Sequence, residues 1–236
     1  VRVSVGNPPT TGGNGPGALF TALISNGLAL PIASLTVLIT LFLPLIGAMS
    51  AADAISGELA TGTLRGLLIA PVSRAKLLGV KLCGVAATSL VATLAVSVVG
   101  MVTGLIVLGS GNLTTLSGTT LGLGTALWRV LLATLWVAFQ VLAVAGIALA
   151  ISTFTEHPIV VMATTLALII LSTVLGAIPS LQGITPYLIT TGWTALPDFL
   201  RDPVPSTALL KGLGVGACYL VIGLSVAGGK LARREG

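Results

Sequence analysis

Long uncharged apolar runs alternate with short polar segments along this chain, and the alternation predicts membrane-spanning helices. The first run extends over residues 18–52, which as one helix would be roughly 50 Å long at 1.5 Å per residue. That length exceeds the ~30 Å hydrocarbon core of a bilayer, and Pro31 and Pro44 can each bend the run. We therefore predict a surface-lying segment near residues 19–30, followed by a span over 32–52.

Four further spans are predicted over residues 82–108, 129–152, 158–178 and 207–228. A Gly/Ser/Thr-rich external loop at 109–124 and a tight turn at 153–158 connect them, with Pro158 suited to the first turn of a helix. Residues 179–206 hold several prolines with Tyr187 and Trp193, which favours a structured external loop with interfacial aromatics. The fold class predicted is all-α, a polytopic helical membrane bundle of about five transmembrane helices.

The composition supports the membrane assignment. The chain is 55% hydrophobic and 7% charged, with a mean hydropathy of +1.10, whereas a soluble domain is roughly 25% charged. The net charge of +5 comes with only 4% aromatic residues, and its basic residues end apolar runs, which suits a cytoplasmic leaflet better than nucleic acid. Cys83 and Cys218 are expected to be small buried hydrophobic residues, because neither has a partner at metal-ligand spacing.

Basic residues predict the orientation of the bundle. Residues 53–81 and the C-terminal tail contribute Arg65, Arg74, Lys76, Lys81, Lys230, Arg233 and Arg234, against Arg2, Arg129, Arg201 and Lys211 on the other side. The excess predicts that this loop and the tail are cytoplasmic. The polar N-terminus then lies outside, and a missing upstream helix would restore a cytoplasmic start, so we expect the chain to be truncated.

The segment 53–81 carries several charges between apolar runs, and its order predicts a short amphipathic helix. Glu58 ends the first span, and Gly62 and Thr63 supply a break and a possible helix N-cap. A one-sided set of leucines follows, Leu64, Leu67 and Leu68, before Pro71 stops the helix. Such an element fits a groove on a soluble partner.

The string E-L-A-T-G-T-L-R-G-L-L-I-A-P-V-S-R-A-K-L-L-G-V-K resembles the signature of permease subunits of type-2 ATP-binding-cassette (ABC) transporters. The matching positions are Glu58, Gly62, Thr63, Leu64, Leu68, Pro71, Val72, Ser73, Arg74 and Lys81. The preceding D-A-I-S-G-E resembles a subgroup that includes permeases linked to copper-enzyme maturation. I-S-T-F, the P-Y…W…D loop and the R-R-E tail are similar to the last two spans of the family. Because the family has six spans, the chain resembles its second to sixth.

The resemblance implies that transport and ATP hydrolysis are carried out by different subunits. Two permease copies or paralogues would pair in membrane lipid, and separate ABC ATP-binding subunits would carry ATP and Mg. The helix at residues 63–70 would dock on the ATPase, with Glu58, Gly62, Thr63, Leu64, Arg65, Leu68, Pro71, Arg74 and Lys81 as the ATPase-coupling residues. The sequence has no G-x-x-x-x-G-K-[ST] motif, so this chain is expected to bind no cofactor and to be no enzyme itself.

This interpretation divides the chain into an external loop (1–17), a transmembrane permease domain (18–230) and a cytoplasmic tail (231–236). The function expected is an exporter in the plasma (inner) membrane of a prokaryote, with no nucleic-acid partner. An ATP-independent channel or secondary carrier remains an alternative, although a carrier should show intramembrane acids or broken helices. A membrane-embedded enzyme is disfavoured because the spans lack catalytic side chains.

Several polar residues outside the loop have weaker assignments. For Gln140, inside a span, an interhelical hydrogen bond is favoured over substrate contact. Glu156 and His157 sit in a tight turn at the bundle edge, where a proton relay is disfavoured. The remaining charges are expected to be solvated or to snorkel at external span ends, namely Asp198, Arg201, Asp202, Arg129 and Lys211.

Overall fold

The computed structural model of this chain describes residues 27–57, 74–108, 113–117 and 119–233. The described residues form the helices α1 (Leu30–Leu38), α2 (Phe42–Ala52), α3 (Arg74–Leu108), α4 (Leu123–Ser152), α5 (Pro158–Ala177) and α6 (Ser206–Arg233). A small antiparallel hairpin, β1 (Leu113–Thr114) and β2 (Thr120–Leu121), lies between α3 and α4. A π-helical turn, Asp53–Gly57, extends α2, and short 3-10 helices occur at Gly27–Ala29, Pro179–Leu181, Thr185–Tyr187 and Thr191–Leu200.

Among the described residues, four helices are long and apolar enough to cross a membrane, by their length and composition. They are Lys76–Val107, Leu123–Ser152, Pro158–Ala177 and Ser206–Lys230. A fifth span exists if Gly27–Leu38 and Phe42–Gly57, which meet at a bend of 58°, are counted as one broken span. The predicted all-α membrane bundle with about five spans is therefore confirmed.

The bend in the first span follows from Pro44. Leu41, just before α2, has φ −144° and ψ −52°, outside the helical region. Pro44 lies in the first turn of α2, and in an unbroken helix its ring would collide with the carbonyl of Thr40. Pro31 causes no break because it lies in the first turn of α1, where proline is tolerated. Of the two prolines that could bend the run, only Pro44 does, so the predicted division between residues 30 and 32 is wrong and the predicted span over 32–52 is itself bent.

Helix boundaries differ from those predicted, because hydropathy marks the part of a helix in lipid and not its extension into water. Helix α3 begins at Arg74, not at residue 82, so Arg74, Lys76 and Lys81 lie on the helix and not in a loop. Helix α4 likewise begins at Leu123 instead of residue 129. The predicted loop at 53–81 is therefore narrower, and its central part, residues 58–73, lies outside the described residues.

We call the end of the bundle that holds Gly57, the start of α3, the α4–α5 turn and Lys230 the lower end, and the opposite end the upper end. Buried residues of the lower end form one cluster, Ala48, Ala51, Ala52, Ile55, Val85, Ala145, Ala148, Leu149 and Val161. A larger cluster towards the upper end joins α1 and α4 to the connection between α5 and α6. Leu28, next to α1, is 1% exposed, so the described part of the predicted surface-lying segment is buried instead.

The α5–α6 connection spans residues 178–205, and its second half is largely buried. Its 3-10 helix Thr191–Leu200 carries Trp193, Leu196 and Leu200 into the large cluster, a spacing of three to four residues that places them on one face. Trp193 is only 6% exposed, whereas Tyr187 is 70% exposed. The interfacial position predicted for both aromatics is therefore wrong for Trp193, because tertiary packing buries its ring.

Glycines let neighbouring helices approach closely, as the frequency of small residues predicted. A Cβ added at Gly223 of α6 would collide with the backbone of Gly146 of α4, and one added at Gly104 of α3 would collide with the backbone of Gly27. Gly214, in contrast, faces open space, with no atom within 4 Å of an added Cβ. The close contact between α4 and α6 thus depends on Gly146 and Gly223.

Gly223→Ala tests this contact, with Gly214→Ala on the same helix as its matched control. We expect Gly223→Ala to lower the free energy of unfolding by about 1–3 kcal/mol, because the helices must separate to admit the methyl group. Gly214→Ala should be neutral or slightly stabilising, since alanine is the better helix former. Thermal unfolding of the detergent-solubilised protein measures both, and equal melting temperatures would show that the contact carries no stability.

Candidate functional site

Ser56 connects the end of the first span to the turn between α4 and α5. Its hydroxyl lies 3.1 Å from the carbonyl oxygen of Ser152 and 2.9 Å from that of Thr155. The residue is fully buried, and one hydroxyl proton shared between two carbonyls gives a bifurcated donor. Ser56 lies in the π-helical turn Asp53–Gly57, a geometry that often occurs at functional sites.

The lower cluster joins the first span and α3 to the same two helices. Ile55, near the end of the first span, and Val85 of α3 both pack in the cluster with Leu149 of α4 and Val161 of α5. Their side chains are at most 3% exposed. The first span and α3, which precede and follow residues 58–73 in the sequence, are therefore both held by α4 and α5.

The C-terminal helix reaches the same turn. The Lys230 ammonium lies 5.1 Å from the centroid of the Phe154 ring, within the range of a cation–π contact. Glu156 and His157, in the same turn, are exposed. Within the described ranges, no cluster of three metal-ligating side chains occurs.

Most of the predicted coupling residues lie outside the described residues, namely Glu58, Gly62, Thr63, Leu64, Arg65, Leu68 and Pro71. Arg74 is the first residue of α3, and Lys81 is half-buried two turns further along it. Sequence reasoning missed Ser56, for which the only signal was a serine between an apolar run and the charged segment.

At the upper end, Arg129 of α4 binds the α5–α6 connection. Its Nη2 lies 2.8 Å from Oδ1 of Asp202, and its Nη1 donates to the Arg201 carbonyl at 2.6 Å. Arg201 in turn pairs with Asp198 at 3.3 Å. Asp198 is only 4% exposed, so the predicted solvated cap is instead a partly buried ion-pair network that replaces lost hydration.

The hairpin joins this network through Asp202. Thr119 donates its hydroxyl to Oδ2 of Asp202 at 3.3 Å, and the Asp202 amide donates to the Ser117 hydroxyl at 3.1 Å. The same carboxylate thus binds α4 and the hairpin. Lys211 of α6 is exposed, as expected for a snorkelling side chain.

Gln140 of α4 is a buried polar residue, 1% exposed. Its Nε2 has no hydrogen-bond partner among the described residues, so the predicted interhelical bond is not made by this atom. Glycines surround the amide, and added Cβ atoms at Gly212 and Gly216 would lie 3.4 Å from Nε2 and 3.0 Å from Oε1. The Gln140 amide therefore occupies the space that the glycines of α6 leave open where this helix packs against α4.

Two neighbouring cavities flank the α5–α6 connection. One, of about 590 Å³, is lined by residues that include Lys211 and Gln182. The other, of about 510 Å³, lies against the bend in the first span, and Thr185, Thr191 and Thr194 line both. These volumes are in the range of ligand pockets, ≈ 300–1,000 Å³.

Arg129→Gln should destabilise the upper end. It removes the ion pair to Asp202 and the bond to the Arg201 carbonyl, and hydrogen bonds to charged groups are worth about 1.5–3 kcal/mol. Lys211→Gln is the control, because Lys211 is exposed at the same end and shows no ion pair among the described residues. Limited proteolysis near residue 202 should accelerate only in Arg129→Gln. Equal cleavage rates in the two variants would contradict this role of Arg129.

Comparisons with known proteins agree with this architecture. Residues 14–198 match the model of a family described as ABC-2 family transporter protein. No curated protein matches the chain. Because the match covers well over half of the chain, and the described helices form a membrane bundle, the chain belongs to the ABC-2 transporter family and is a permease component of an ABC transporter.

Proposed function

We propose that this chain is the permease subunit of an ATP-driven exporter, and that residues 58–81 couple it to a separate ATP-binding subunit. The observation that carries this proposal is the Ser56 junction. The segment containing residues 58–73 begins directly after a buried hydroxyl that binds the α4–α5 turn. A displacement of that segment by a partner would therefore act on two spans at once.

The proposed transmission starts on the ATPase surface. Residues 63–70 dock in a groove of the ATPase, with Glu58 and Arg74 flanking the docked helix. Closure of the ATPase dimer displaces Gly57 and the first turn of α3. Ser56 and the lower cluster, which contains Ile55 and Val85, pass this displacement to α4 and α5.

The same proposal assigns the remaining partners. ATP and Mg bind on the ATPase subunit, and a second permease copy or a paralogue completes the pair within membrane lipid. The lower end is cytoplasmic in the plasma (inner) membrane of a prokaryote, as the bias of Arg and Lys predicts. In support, Lys76, Lys81 and Lys230 all lie towards this end.

The bent first span is the one feature that favours the alternative function, an ATP-independent carrier, because carriers often bind substrate at broken helices. An acid within the membrane is the other feature expected of an ion-coupled carrier. The described acidic residues all lie near the ends of the bundle, namely Asp53, Glu156, Asp198 and Asp202. This distribution favours ATP as the energy source.

Glu58→Ala and Arg74→Ala should weaken coupling without blocking membrane insertion. Co-purification of the chain with its ATP-binding subunit is the first measurement, and substrate-stimulated ATP hydrolysis is the second. We expect the complex to form and the stimulation to fall in both variants. Transport by the isolated chain in vesicles that contain no ATPase would overturn the proposal.

Ser56→Ala tests the junction, with Ser50→Ala as its matched control. The Ser50 hydroxyl donates only within its own helix, to the Gly47 carbonyl at 2.9 Å. Ser56→Ala removes the hydrogen bonds that join the first span to the α4–α5 turn, so stimulated hydrolysis should fall in this variant. Ser50→Ala should retain the wild-type rate. A wild-type rate in both variants would remove Ser56 from the coupling path.

A further inference from the structure

We propose that the cavity at the bend of the first span binds a small uncharged molecule that carries several hydrogen-bond donors. That this molecule is the transported substrate rests on the proposed function, whereas its binding does not. The cavity has a volume of about 510 Å³ and lies between the α1–α2 bend, the end of α5 and the α5–α6 connection.

The wall of this cavity is rich in threonine. Seven threonines line it, and several of their hydroxyls already donate to backbone carbonyls. Thr36 donates to Ile32 at 2.7 Å, and Thr173 donates to Ile169 at 2.9 Å. A hydroxyl that has donated its proton retains lone pairs as acceptors, so these side chains present acceptors to a ligand.

The bend adds a further acceptor. Thr40, which lines the cavity, lies four residues before Pro44, and proline has no N–H to donate to the Thr40 carbonyl. The Thr40 hydroxyl donates to the Thr36 carbonyl at 3.3 Å, which keeps the hydroxyl in the acceptor role as well. A ligand N–H or O–H is therefore the chemical complement of this wall.

The described lining includes no ionisable side chain. A charged ligand would gain no ion pair from this wall, so the lining favours an uncharged molecule over a carboxylate or an ammonium. An uncharged molecule with hydroxyl or amide donors, and an apolar part against Ile39 and the threonine methyl groups, fits the wall.

Trp193 also lines the cavity, so its fluorescence can report on a bound ligand. Its Nε1–H is buried and has no acceptor among the described residues.

The test uses the purified chain in lipid nanodiscs without any ATPase, with empty nanodiscs as the background. Phenyl β-glucoside is the probe, and its fully O-methylated analogue has the same core without donors. Equilibrium dialysis measures binding, and quenching of tryptophan fluorescence provides a second readout. We expect saturable binding of the glucoside and none of the methylated analogue.

Thr173→Val and Thr36→Val should each weaken glucoside binding about fivefold, the effect of one lost hydrogen bond. Thr165→Val is the matched control for Thr173→Val, because Thr165 lies about two turns before Thr173 on α5 and outside this cavity. The Thr165 hydroxyl likewise donates to a carbonyl of its own helix, that of Val161, at 2.8 Å. It should bind the probe as the wild type does. The melting temperature of each variant reports its folding.

Any of three results would overturn the proposed binding site. The first is the absence of saturable glucoside binding, and the second is equal binding of the methylated analogue. The third is equal affinity of the three variants, Thr173→Val, Thr36→Val and Thr165→Val. Because the assay contains no ATPase, such a result leaves the proposed coupling through residues 58–81 intact. Conversely, if the coupling variants show no loss of stimulated ATP hydrolysis, the glucoside-binding result is unaffected.

Discussion

Lipid offers no hydrogen-bond partners, and this constraint determines how the whole bundle is built. Each unsatisfied backbone group in the hydrocarbon region costs several kcal/mol, so the spans are helical and their hydroxyls donate back to the preceding turn, as Thr93 and Thr165 do. Departures from this pattern are therefore informative. The bend before Pro44 and the Ser56 hydroxyl, which leaves its own helix for another, are two such departures, and they lie in different parts of the molecule.

The Ser56 hydrogen bonds and the bend before Pro44 lie in two regions of the molecule that differ in their contacts. At the lower end, a small buried cluster and one serine join the first span to the α4–α5 turn. Towards the upper end, Arg129 and Asp202 fix the α5–α6 connection, whose 3-10 helix is buried in the large cluster. The threonine-lined cavity lies between this connection and the bend. Helix α5 contacts both the lower cluster and the cavity, so it can transmit a displacement of the α4–α5 turn to the cavity wall.

Local sequence patterns were sufficient for the bundle and the helix start at Pro158, because each depends on hydropathy or on proline geometry within a few residues. They were insufficient for contacts between distant positions. Ser56 and Ser152 are 96 residues apart, and no local pattern pairs them. Asp198 looked solvated because polar residues and prolines usually mark exposed loops, whereas here tertiary packing buries the segment. The coupling residues in 58–73 stay predictions from sequence.

We propose that the end of the first span and the α4–α5 turn move as one unit when an ATPase acts on the chain. Spin labels at Asp53 and Glu156, which are exposed on either side of the Ser56 junction, test this by pulsed electron paramagnetic resonance in a complex diluted with unlabelled chain. We expect the same distance distribution within one chain in the nucleotide-free and ATP-bound states. A shift of that distribution between the two states would contradict it.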